Sequence, residues 1–325
     1  MATNNLSLLR NFLNTLPNNS IYSLAINGIG KNDIDASYLF NNYQNLNKIT
    51  SLNITYNITN MYSMFSNCRN LITVPNFNTI NVTNMRQMFS NCRNLTTVPN
   101  FNTSNVTNMS WMFDGCYNLT AVPNLNTSNV TNMSWMFDGC YNLTTVPNFN
   151  TINVTYMSWM FYNCYNLTSV PNFNTSNVTS MYSMFSYCNN LTNVPNFNTS
   201  NVTDMGGMFE SCNNLTTVPE FNTINVTDMY EMFENCTNLT TVPNFNTSNV
   251  TSMSGMFYNC RNLSTESYAT IANMLPLAAN LTNQYLSNIG LNVNNFTVSQ
   301  LQRLNNKGYI DAIFNAQTYY EIEYD

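Results

Sequence analysis

Histidine is missing altogether, and only 7% of the 325 residues are Asp, Glu, Lys or Arg. Without an imidazole the usual Ser or Cys triads have no base, and metal sites lose their commonest ligand. No Gly-rich phosphate loop is spelled by the nine glycines, so catalysis, a metal and a cofactor are all unexpected. The nine basic residues are scattered against fifteen acidic ones, for a net charge of −6. That excludes the basic stripe a phosphate backbone needs, and nucleic acid is not expected as a partner. Long apolar runs are lacking too: the most apolar stretch, from Met274 to Leu281, carries Pro276 and Asn280. It falls far short of the roughly 18–20 residues that span a bilayer, so membrane insertion is not expected. Met1 to Arg10 shows no basic start followed by an apolar core, so the reading includes neither a signal peptide nor an anchor.

What is abundant is amide: 68 residues are Asn. With 44% hydrophobic and 13% aromatic residues the chain is still too apolar for disorder. Its organisation lies in the cysteines, Cys68, Cys92, Cys116, Cys140, Cys164, Cys188, Cys212, Cys236 and Cys260, each 24 residues after the last. One unit runs from Asn81 to Ser104, and a degenerate copy with Phe40, Tyr43, Asn45, Leu46 and Ile49 precedes the nine regular ones. A period of this length predicts a solenoid whose coils bury their apolar faces only against their neighbours.

Within a unit, Met85, Met88, Phe89 and Cys92 follow the i, i+3, i+4, i+7 spacing of one helix face, with Asn81 or Thr83 able to cap it. Leu95, Val98 and Phe101 around Pro99 predict a short extended segment. The expected fold is therefore an α/β repeat solenoid, a curved leucine-rich-repeat-like horseshoe with one short strand and one short helix per 24-residue coil. Strand spacing is smaller than helix spacing, which sets strands inside and helices outside. Residues 1–38 are expected as an N-terminal cap with a helix over Leu6–Leu16, 39–263 as the solenoid, and 264–325 as a helical C-terminal cap. Helices are predicted there over 266–275 and 298–307. The repeated cysteines read as buried, reduced thiols, and the Asn two residues after each as amides bonding the backbone of adjacent coils.

The Phe-x-x-Cys-x-Asn-Leu-x-x-Val-Pro core and the Asn-Val-Thr-x-Met-x-x-Met-Phe approach to it resemble the BspA-like leucine-rich repeats of bacterial surface proteins, especially the mycoplasma-type variant. The resemblance covers about two thirds of the chain. It implies a non-enzymatic surface protein working in adhesion or in receptor or glycan recognition, at the cell surface. Two alternatives stand beside it: a structural or host-recognition component of a virus (phage) particle, and an intracellular protein-interaction scaffold. The expected partner is accordingly a protein or glycan on a cell, or a neighbouring subunit of a larger particle, and the missing leader keeps the cytoplasm open.

Positions that vary between coils are where recognition is sought. Trp111, Trp135 and Trp159 are the only tryptophans and share one repeat position, which a helical wheel turns outward. Tyr117, Tyr141 and Tyr165 flank them, with Asp114 and Asp138 alongside, a set suited to sugar stacking or to a protein hot spot. Residues 102–120 and 126–144 are identical, so duplication alone is the competing explanation. Charge is also sorted. Arg69, Arg86 and Arg93 lie early, whereas Asp204, Glu210, Glu220, Asp228, Glu231 and Glu234 lie late. This pattern fits either guided assembly or a merely solvated surface.

Overall fold

A computed structural model describes residues 11–12, 15, 23–29, 35–54 and 58–312. The helix expected over Leu6–Leu16 and the tail around Tyr319, Tyr320, Glu321 and Glu323 lie mostly or wholly outside these. By its contacts the chain forms two compact units, residues 1–177 and 178–325.

The first unit opens with a parallel pair, β1 (Ser23–Ile29) and β2 (Lys48–Ile54), in the register Leu24↔Ile49 and Ile26↔Leu52. Beyond it, among the described residues, β2 makes only the bridge Lys48↔Thr73, while a second line of single parallel bridges at another position of the coil steps one coil at a time, Asp35↔Asn60, Asn60↔Asn84, Asn84↔Asn108, Asn108↔Asn132 and Asn132↔Tyr156. The repeat solenoid that the 24-residue period predicts is thus what forms. In the nine regular coils the expected helix and strand do not form, and the degenerate copy alone keeps a strand, β2.

Backbone accounting explains why. In the segment Met85–Cys92 the N–H groups of Met85, Gln87, Phe89 and Asn91 all donate to the next coil, to the carbonyls of Asn108, Ser110, Met112 and Asp114 at 2.6–3.1 Å. Only the alternate residues, Met88, Ser90 and Cys92, bond three residues back, to Met85, Gln87 and Phe89. An α-helix needs every N–H to bond four back, so this is a run of tight turns welded to its neighbour. Two residues per coil also take positive φ, Gln87 at 56° and Asn91 at 59° in this one, which no right-handed helix admits. The strand fails for a different reason. Pro99 has no N–H, and the Phe101 N–H turns back to the Pro99 carbonyl at 2.9 Å, so the segment has little left to give a ladder. With no helix in the coil, the helix-outside argument for curvature also loses its premise.

The apolar spacing nevertheless identified the inward residues. Val82, Met85, Met88, Phe89, Cys92 and Leu95 are all 0% exposed. The coil phenylalanines stack face to face, Phe89 on Phe113 at 5.8 Å and Phe113 on Phe137 at 5.7 Å. The cysteines are free and buried, and their Sγ atoms point to a phenylalanine carbonyl of the preceding coil, Cys92 to Phe65 at 3.1 Å. Burial pushes these thiols well above their ordinary pKa, so they pack as small apolar groups. One side-chain expectation is corrected. Asn94 and Asn118 bond the side-chain oxygens of Asn70 and Asn94 at 3.4 Å in an exposed ladder, rather than any backbone. The backbone bond is made by Asn105, Asn129 and Asn153, whose amides reach Ile80, Ser104 and Ser128 carbonyls at 2.7 Å.

The second unit repeats the coil, with bridges Ser180↔Asp204, Asp204↔Asp228 and Asp228↔Ser252, and then changes character. Helix α1 (Thr265–Met274) starts where Ser264 accepts the Ser267 N–H and stops before Pro276. Helix α2 (Val298–Asn306) begins with a capping box of Thr297 and Gln300. Both match the sequence expectation. The Lys307 ammonium donates to the carbonyls of Ala272, Asn273 and Leu275 at 2.6–3.1 Å, satisfying the end of α1. Ahead of α2, Asn288 and Ile289 accept from Gly255 and Phe257 at 2.7 and 2.9 Å, so these ladder donors of the last coil are paired. Gly290 makes that approach possible: at φ 86°, a Cβ on it would lie 2.2 Å from the Tyr258 nitrogen.

Candidate functional site

The expected site residues all fall in the first unit, on the run of turns. Asn108 Oδ1 accepts the Ser110 N–H at 2.9 Å, and the Trp111 N–H then crosses to the Ser134 carbonyl at 3.0 Å. Trp111, Trp135 and Trp159 therefore sit at φ 55–56°, a conformation that bulky residues seldom take. The cost is imposed by the repeat, since every coil holds a positive φ there. Hydrogen-bonded coils lie about 4.8 Å apart, so identical side chains come into register. Trp111 stacks on Trp135 at 4.3 Å, and Trp135 on Trp159 at 4.2 Å, with planes within 10°. Tyr117, Tyr141 and Tyr165 form a second column at 4.5 and 4.8 Å.

The tryptophans are half-buried rather than standing free, because each ring covers its neighbour. Two arginines that sequence reasoning left outside the site close one end of each column. The Arg86 guanidinium lies 4.6 Å over Trp111 and 5.7 Å over Tyr62, and Arg93 lies 5.1 Å over Tyr117. Both faces of Trp111 and of Trp135 are thus occupied, and these rings turn their edges to the outside. A signal for Arg93 was available: it shares Tyr117's repeat position one coil earlier, as Arg69 does two coils earlier.

Asp114 and Asp138 line the same corner, half-buried. Ser90 Oγ donates to Asp114 at 2.9 Å. Burial raises the Asp114 pKa against that hydrogen bond. Asp138 is pushed up to about 7, first by burial and then by the Asp114 charge, with the Asn163 side chain opposing. Asp138 is thereby poised to hold a proton near neutrality. Among the described residues no group of three or more Cys, Asp or Glu could hold a metal ion, and no helix is long and apolar enough to cross a membrane.

The family described as "Mycoplasma protein of unknown function, DUF285" matches residues 32–144, 94–194 and 188–282, and the chain belongs to it. No curated protein matches the sequence. Among solved structures, the chain is similar to a leucine rich cell surface protein from Faecalibacterium prausnitzii, at 18% identity over 70% of this chain and 73% of that one, with a TM-score of 0.35. It is similar also to leucine-rich repeat proteins from Eubacterium ventriosum, at 16% identity over 75% and 77% with a TM-score of 0.45. One from Bacteroides ovatus is 17% identical over 74% and 73%, with a TM-score of 0.37.

Proposed function

We propose that this member of the family is a non-enzymatic recognition protein whose Trp and Tyr columns, with Asp114 and Asp138 between them, dock a protein on a cell surface. The observation that carries the reading is the closed stack. Sugar rings are recognised by lying flat on an open aromatic face, and Trp111 and Trp135 have none to offer. A ridge of aromatic edges, held rigid by stacking and rimmed by carboxylates, is instead the kind of surface that fills a pocket on another protein. Rigidity keeps the ordering cost of binding low, because the rings are fixed before the partner arrives. Neither the family nor the similar structures favour the virus-particle alternative.

The test is cell binding by the purified chain in flow cytometry, with Trp111→Ala, Trp135→Ala and Trp159→Ala combined. At about 2 kcal/mol for a Trp hot spot, the triple variant should bind about thirtyfold more weakly while keeping the wild-type circular dichroism. Protease treatment of the cells should abolish binding and glycosidase treatment should spare it. Equal binding by the folded triple variant, or loss after glycosidase alone, overturns the proposal.

A further inference from the structure

The corner that carries the Trp column in the first unit has a counterpart in the second, built on the same backbone with opposite chemistry. Glu231 occupies the repeat position of Trp111 and holds the same backbone, φ 53° against 56°. Glu210 and Glu234 occupy the position of Asp114, and Tyr182 and Tyr230 that of Arg86. The first corner therefore offers guanidinium on aromatic, and the second offers carboxylate beside aromatic.

Neither set is neutralised at home. Among the described residues Arg86 and Arg93 have no carboxylate partner, and the Nε of each is buried without an acceptor. The carboxylates have only neutral donors: Ser186 Oγ to Glu210 at 2.8 Å, and Asn235 Nδ2 to Glu234 at 3.3 Å. Glu231 crowds Glu234, and burial together with that like charge pushes Glu234 up to about 7. Two described cations of the unit are engaged elsewhere, Lys307 on three carbonyls and Arg261 Nε on Asn259. A guanidinium stacked on a ring is fixed in direction and presents a planar fork, the geometry that a carboxylate matches with two hydrogen bonds.

We propose that the Arg86 and Arg93 corner of one molecule docks on the Glu231 and Glu234 corner of a second copy of this chain, so that the protein associates with itself through oppositely charged faces of its repeat. The inference rests on the reading above that this corner is a docking surface, and adds a second copy of the chain to its partners. Charge complementarity selects the occupant: the chain carries both signs, on equivalent positions, each lacking its counter-ion.

The experiment is sedimentation velocity of the full chain across concentration, at roughly 20 mM and roughly 500 mM salt, which spans weak and nearly complete screening of exposed charge. The wild type should associate at low salt and dissociate at high salt. Arg86→Glu with Arg93→Glu should weaken self-association at least about tenfold, and so should Glu231→Arg with Glu234→Arg. An equimolar mixture of the two variants should restore it, because each then meets the opposite sign. Should the glutamate pair fail to fold by circular dichroism, Arg86→Gln with Arg93→Gln should show the same loss. A wild type that stays monomeric at low salt overturns the proposal, as do folded charge variants that associate like the wild type or a mixture no better than its components. Cell binding measured in high salt, where self-association is absent, reads the docking role separately, so either idea can fall without the other.

Discussion

The two corners built at the same repeat position show how this chain divides its labour. Around Trp111 and around Glu231 the backbone is the same: a positive φ, an N–H donated to the next coil, and a buried Met and Phe directly after it. The side chains at the surface differ completely, an aromatic stack closed by arginine in one place and crowded carboxylates in the other. The fold is thus specified by the inward residues and the coil-to-coil hydrogen bonds, and the outward positions are free to carry chemistry. Changes to the first class should cost stability and changes to the second should cost recognition.

The sharpest break of that comparison is at Gly290, where an added methyl meets the Tyr258 backbone at 2.2 Å. Gly290→Ala should destabilise the second unit by at least about 3 kcal/mol, since backbone cannot yield as a flexible side chain does and φ 86° is strained for alanine. All three tryptophans lie in the first unit. Guanidine unfolding followed by far-UV circular dichroism should therefore show an early transition that Trp emission does not. Coincident loss of both signals would mean that the two units unfold together.

Next in size is the buried stack. Phe137 is fully buried between Phe113 and Phe161, at 5.7 and 5.6 Å. Phe137→Ala should cost about 3–5 kcal/mol in denaturant midpoint analysis, with no change in the φ-dependent corner two residues earlier.

Asp138 tests the corner's electrostatics. Its folded pKa is about 7, above the ordinary carboxylate value, so the folded chain binds the extra proton and the unfolded chain does not. Stability should therefore be greatest below about pH 4, fall as pH rises toward 7, and level off above it. Partial exposure screens the effect, leaving about 1–2 kcal/mol. Asp138→Asn should flatten most of this slope in thermal melts read by Trp emission. Asp114, also raised, would keep a smaller remainder. A variant with the wild-type slope would place the titrating group elsewhere.

Much of this was legible in the sequence because the period of cysteine, methionine and phenylalanine is a statement about burial, and burial does not depend on how the backbone closes its hydrogen bonds. The helix was misread because i, i+3, i+4, i+7 spacing suits a run of tight turns as well as a helix. The distinguishing signal was one residue before seven of the nine Cys: Asn67, Asn91, Gly115, Gly139, Asn163, Asn235 and Asn259, the residue types that tolerate a left-handed backbone, recur where a helix would have no use for them, with Tyr187 and Ser211 at the other two. Which positions carry outward side chains could be read; how those side chains touch could not. The closing of Trp111 by Arg86 joins residues 25 apart, one more than the period, and it depends on the coil spacing rather than on any pattern in the chain.

The smallest expected effect separates the backbone from the stack at a single residue. At Trp135 the chain holds φ 55° and a ring sandwiched at 4.3 and 4.2 Å, whereas Gly207 and Gly255 fill the same repeat position in the second unit. Trp135→Ala and Trp135→Gly both remove a ring stacked on its two faces, and the two pairs together are worth about 1–3 kcal/mol. They differ in the left-handed strain, which alanine keeps and glycine relieves. Glycine also gains freedom in the unfolded chain, which offsets part of that relief. Trp135→Gly should therefore be the more stable of the two by up to about 1 kcal/mol, with both below wild type, while both lose partner binding alike. Alanine equal to or better than glycine would mean that the corner is not held left-handed in solution, and the shared backbone on which the comparison of the two units depends would fail with it.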